Sequence, residues 1–292
     1  MFKKTTLITA ALIYTVSNTE AQTPPQYQIN DKYKQALELL EKGKYATASS
    51  LFKEVEKLNF VTAAQTDNRV DISEIKVNAQ YYRALCALEL NNDDAIDLFL
   101  TFIRLHPENA KTKQAYFQVG RYYFKAGNYA EALKWLTKVS SIDMSGEEAN
   151  EYKFKTAYAY FETQDYANAK PLFNMVQDTK SPYAEQSTYY YAYIAYLDKD
   201  YKNALKSFEK LKNSKNYETS YPYYISAIYF LDKRYDDVLN YTIPILNSTQ
   251  QQYETEMFRI VAASYFAKED YQNAIKYYEK FMANDRGATQ NN

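Results

Sequence analysis

The chain of 292 residues is poor in the residues that most chemistry needs: one cysteine, one histidine, one tryptophan, five glycines and seven prolines. A single cysteine, Cys86, excludes an internal disulfide, and its apolar setting in Tyr81-Tyr82-Arg83-Ala84-Leu85-Cys86-Ala87-Leu88 reads as a buried structural thiol. One histidine and one cysteine are too few for a His/Cys zinc site. Serine–histidine or cysteine–histidine catalysis would have to use His106, which the segment Arg104-Leu105-His106-Pro107 places in a turn as a solvated side chain. Five scattered glycines cannot build a phosphate loop. The net charge of −1, with both signs interspersed, leaves no electrostatic footprint for nucleic acid. Scarce glycine and proline also mean few long loops and much helix.

Tyrosine is the excess, with 33 copies. Many fall in one recurring pattern: an aromatic residue, a small residue three positions on, and a large one four further. It reads Tyr45-Ala48-Phe52, Tyr129-Ala132-Leu136, Tyr166-Ala169-Phe173, Tyr201-Ala204-Phe208, the weaker Tyr235-Val238-Thr242, and Tyr271-Ala274-Tyr278. The tyrosines at 129, 166, 201, 235 and 271 are 37, 35, 34 and 36 residues apart. Self-similarity at this period predicts a helical solenoid. Within one period, Tyr116, Val119, Gly120, Tyr123 and Phe124 share one helical face over 115–126. Gly127-Asn128 is the turn, and 129–140 is a second helix with Ala132, Leu133, Trp135, Leu136 and Val139 inward.

At these residues the chain resembles the tetratricopeptide repeat (TPR) family, whose unit of about 34 residues is a helix–turn–helix with small residues at the contacts. The small residue of the first helix is in turn Ala36, Ala84, Gly120, Ala157, Ala192, Ser226 and Ala262. That of the second is Ala48, Ala95, Ala132, Ala169, Ala204, Val238 and Ala274. The resemblance implies an all-α fold, a right-handed superhelix of about seven repeats near 31–58, 77–109, 112–143, 146–180, 182–215, 219–250 and 254–285. The extra sequence 59–76 reads as a loop plus an extension of the next helix. Pro244 is expected to kink or shorten its helix, and Ser145-Gly146-Glu147-Glu148 to open a helix as a capping box.

In the family, the first helices line a concave wall, with ligand-facing positions three before, one after and four after the small residue. Carried onto this sequence, these give Phe117, Phe154, Tyr189, Tyr223 and Arg259; then Arg121, Tyr158 and Tyr193; then Phe124, Phe161, Tyr196 and Phe230. The middle three are the least generic. The resemblance therefore implies a non-enzymatic scaffold with no cofactor or metal, holding a protein or peptide in an aromatic groove. The Lys/Asn carboxylate clamp of chaperone-binding members is missing, because those positions are aromatic or aliphatic here. The alternative reading is a glycan binder that uses the same groove.

At the N-terminus, Met1-Phe2-Lys3-Lys4, an apolar stretch over 5–16 and Thr19-Glu20-Ala21 read as a signal peptide over 1–21, too short to span a bilayer. The expected product is soluble after cleavage, in the periplasm or cell envelope, with an extended lead-in over 22–30. No membrane span and no nucleic-acid partner are expected. The sequence also resembles the N-terminal part of long exported TPR proteins of Bacteroidetes-type bacteria. The last helix, 271–283, followed by a disordered tail over 286–292, is expected to dock on a partner or a second copy, or to continue into a longer array. Process and partner identity are not readable from these residues.

Overall fold

The computed structural model describes residues 25–58, 72–139, 144, 146–248 and 250–290. The expected signal peptide, residues 59–71 of the extra segment and Ser145 of the expected capping box lie outside them. Among the described residues every regular element is an α-helix. Contacts divide the chain into two units, Met1–His106 and Pro107–Asn292.

The first unit holds two helix pairs, α1 (Pro25–Glu41) with α2 (Tyr45–Lys57) and α3 (Ile72–Glu89) with α4 (Ala95–Leu105). Its core joins Ile29, Ala36, Ala48, Phe52, Val55, Ile75, Ala79 and Cys86. The expected extended lead-in is therefore corrected: helix begins at Pro25, where proline suits a first turn that has no N–H to lose. Ile29 is fully buried beneath it, which fixes that turn to the core. Burial pushes the Cys86 thiol up to about 11, with the charge of Glu89 adding to the effect. His106 is not simply solvated. It caps α4, its Nε2 lies 2.9 Å from Gln80 Oε1, and its ring sits 5.3 Å from that of Phe102.

The second unit holds five helix pairs. These are α5 (Lys111–Lys125) with α6 (Tyr129–Leu136), α7 (Gly146–Glu162) with α8 (Tyr166–Val176), α9 (Ala184–Leu197) with α10 (Tyr201–Lys210), α11 (Tyr221–Leu231) with α12 (Tyr235–Ser248), and α13 (Glu254–Ala267) with α14 (Tyr271–Gln290). α14 runs past the expected end at Ala283, so the backbone over 284–290 is helix rather than tail. α12 is not shortened by Pro244. The missing N–H costs one helical bond on a solvent-facing side, and Pro171 is accommodated in α8 in the same way.

Each pair turns on the same device. The residues at the bend, Gly43, Asn91, Gly127, Gln164, Lys199, Lys233 and Glu269, all take φ between 54° and 72°. This left-handed residue lets the next N–H reach back to a carbonyl five residues earlier, at 2.8–3.0 Å in all seven turns. In four of them that next residue also caps the second helix. Asn128, Asp165, Asp200 and Asp270 accept from the backbone N–H three residues on, at 3.2–3.4 Å. One residue thus closes the first helix and opens the second, which places the signature tyrosine at the start of the second helix.

The small residues sit where the paired helices touch, and all are buried. A Cβ added to Gly120 would lie 2.6 Å from Leu136 Cδ2, so any larger residue there would have to displace that leucine. In α11–α12 the same contact is polar: Thr242 Oγ1 donates to Ser226 Oγ at 2.7 Å, and Ser226 Oγ donates to the Pro222 carbonyl at 2.8 Å.

Candidate partner-binding surface

The positions singled out in the second unit fall on α5, α7, α9, α11 and α13, the first helices of its pairs, and the structure sorts them into three kinds. Those three before the small residue are largely consumed by packing. Phe117 and Phe154 are buried in the core, at 1% and 6% exposure, and are corrected from ligand-facing to structural. Their cover comes from the next pair. The Tyr183 ring stacks on Phe154 at 5.0 Å, Tyr217 on Tyr189 at 4.5 Å, and Tyr253 lies 4.8 Å from Tyr223. Sequence reasoning missed these three tyrosines. Their spacing of 34 and 36 residues was the available signal.

The residues four after the small residue each pair with the signature tyrosine of their own turn. Phe124–Tyr129, Phe161–Tyr166, Tyr196–Tyr201, Phe230–Tyr235 and Phe266–Tyr271 have centroids 5.4–6.1 Å apart. These rings are half-buried in the first four pairs, whereas Phe266 is 59% exposed.

The middle positions carry the open surface. Tyr158 is half-buried at a junction of rings: Phe124 at 5.6 Å, Tyr129 at 5.6 Å and Tyr190 at 5.2 Å. Tyr193 is half-buried between Phe161 at 5.8 Å and Tyr224 at 5.5 Å. These contacts cross from α5 to α7, from α7 to α9 and from α9 to α11, so the row is continuous. Most are edge-to-face, the favoured geometry for aromatic quadrupoles. Burial, then Glu162 and Tyr190 beside its hydroxyl, hold the Tyr158 phenol above the usual tyrosine range. The Tyr158 hydroxyl is therefore neutral at physiological pH.

Charge gathers at the α5–α7 end of the row. Arg121 Nε lies 2.8 Å from Glu151 Oε1 and its Nη1 donates to Gln118 at 3.0 Å. Lys155 shares Glu151 at 3.6 Å and places its ammonium 4.5 Å from the centre of Phe124. Burial holds the Lys155 ammonium below its ordinary range. At the other end Arg259 is exposed. Among the described residues no cluster of acidic, histidine or cysteine side chains is arranged to hold a metal ion. None of the described helices is long and apolar enough to cross a membrane.

Three family models, each described as tetratricopeptide repeat, match residues 33–110 and 90–145, 151–179, and 261–286, together more than half of the chain. The chain belongs to the tetratricopeptide repeat family. Among solved structures this TPR chain is similar to MamA of AMB-1, with a TM-score of 0.52 and 16% identity over 61% of this chain and 94% of that one. It is also similar to the apo form of RapI, with a TM-score of 0.50 and 16% identity over 87% and 75%. No curated protein matches it. At these identities the likeness speaks for the TPR fold.

Proposed function

We propose that this TPR protein is a non-enzymatic scaffold that holds a partner protein, through an extended segment, on the first-helix face of α5–α13. One observation carries the reading: the half-buried rings of Tyr158, Phe161 and Tyr193, joined ring to ring, with the half-buried Tyr196 and Phe230 on the same set of helices, which packing leaves partly open. Rings that are already ordered by edge contacts lose little freedom on binding, and they offer apolar area together with hydroxyl donors. Arg121, paired with Glu151, and the exposed Arg259 stand at the two ends of the row. The basic and apolar N-terminal segment supports export, with cleavage after Ala21 and residence in the periplasm or cell envelope, where the protein would serve assembly or secretion.

The test is capture from cell-envelope extract with residues 22–292, compared with a Tyr158→Ala/Tyr193→Ala variant matched for helix content and Tm. A captured protein whose isolated segment binds wild type, and binds the variant at least tenfold more weakly, supports the groove. Equal retention by both moves the site off this face, and capture of glycans without protein overturns the peptide reading. Sequencing the N-terminus of the protein recovered from cells checks export. Gln22 is the expected first residue.

A further inference from the structure

Away from the first-helix row, a cavity of about 380 Å³ opens between α8 and α9, at the low end of the range for small-ligand sites of about 300–1,000 Å³. It is lined by Tyr166, Ala167, Lys170, Asn174, Tyr191 and Asp198, and the Lys170 ammonium lies 5.9 Å from the centre of the Tyr191 ring. Pro171 is also part of the lining, inside α8. Because proline has no N–H, the Ala167 carbonyl is without the helical donor that residue 171 would ordinarily supply. A backbone acceptor is thereby left on a residue that lines the cavity.

The remaining groups narrow the chemistry. The Lys170 ammonium lies 2.7 Å from Asp198 Oδ2 and 3.8 Å from Asp200 Oδ2, so one cation is met by two carboxylates. An anion would face that excess negative charge, and a cation would have to displace Lys170 from Asp198. A wholly apolar ligand would cover the Ala167 carbonyl and the Asn174 Nδ2 group without giving either a partner, at a desolvation cost. Asn174 Oδ1 accepts from Gln177, which leaves its Nδ2 to donate. What fits is a neutral molecule with an apolar face for the rings and hydroxyls that both donate and accept.

We propose that this cavity binds a neutral carbohydrate of one or two pyranose rings, with a C–H face against Tyr166 and Tyr191. Sugar hydroxyls donate to the Ala167 carbonyl and to Asp198 and accept from Asn174 Nδ2. The site touches the peptide row at one contact, Tyr166 against Phe161 at 5.4 Å, but Pro171 and Asn174 lie outside that row, so variants there test it separately.

The test is titration of the full chain with methyl glucopyranoside, methyl galactopyranoside, N-acetylglucosamine, maltose and cellobiose, followed by saturation-transfer NMR and calorimetry. Saturable binding of at least one is expected. Pro171→Ala gives the Ala167 carbonyl its helical partner back. It should raise Tm while weakening the sugar about threefold to tenfold, the worth of one hydrogen bond. Because that variant is more stable, its loss of binding is not loss of fold. Asn174→Ala, on an exposed side chain, should weaken binding by a similar factor, and Tyr193→Ala on the other face should leave it unchanged. The proposal is overturned if none of the five sugars binds, if binding survives both cavity variants, or if Tyr193→Ala abolishes it.

Discussion

In α5–α6 the tight contact is a glycine facing a leucine, with Ala132 beside them. In α11–α12 the equivalent positions are Ser226, Thr242 and Val238, all fully buried. Moving from the first pair to the second, glycine grows to serine, leucine shrinks to threonine and alanine grows to valine. Volume is exchanged across the contact rather than kept at each position, and a hydroxyl pair replaces apolar contact. The turns differ as well. Gly127 takes its φ of 72° without cost, whereas Lys233 takes 59° with a Cβ in the way. The repeat thus preserves a summed shape, which explains why this copy reads weakly in sequence yet folds like the others.

The comparison can be broken most severely at Ala132. Ala132→Asp places an unpaired charge at a site with no exposure and should cost about 4 kcal/mol or more. Amide exchange in α5 and α6 is the measurement, because an array's stability sums over repeats and local opening reports the local loss. Next comes Gly120→Ser, which drives a Cβ into Leu136 and should cost about 1–3 kcal/mol. Adding Leu136→Thr, the α11–α12 solution, should recover about 1 kcal/mol or more in a double-mutant cycle. Strict additivity would show that volume exchange is not what relates the two pairs. Thr242→Val keeps the shape and removes the donor to Ser226, for a loss of about 1 kcal/mol by urea midpoint. Lys233→Gly is the smallest effect and has the opposite sign, a gain of about 0.5–1 kcal/mol from relief of the left-handed residue. An unchanged or lowered Tm for that variant would mean that the lysine stem contributes packing of its own.

Much of the fold was legible because the small residues and the turn tyrosines repeat at a fixed period and each acts locally. The helix starts at Tyr129, Tyr166, Tyr201, Tyr235 and Tyr271 follow from that pattern. The ends were not legible. Pro24-Pro25 suggests extended chain, but the apolar anchor Ile29 and the tolerance of a first helical turn for proline make the chain helical from Pro25. The polar composition over 284–290 hides a helix that simply continues. Of the candidate surface, the periodicity found the right helices but could not divide packing from exposure. Whether Phe154 is free depends on Tyr183, a residue of the following pair, and no local pattern states that the two rings meet. Phe117 fails for the same reason, lying against Tyr152 of the next helix pair at 6.0 Å. Tyr158 and Tyr193, flanked by neighbours on both sides but capped by none, remain open.

The tyrosines at 183, 217 and 253 belong to one helix pair by sequence and to the preceding pair by contact. In a one-dimensional array the coupling between neighbours sets how many members melt together. These three rings act as couplers: where each is seated, the pairs on either side share a fate. Unseating Tyr217 from Tyr189 would split one melting segment into two, which would come apart in succession when the chain is pulled from its ends.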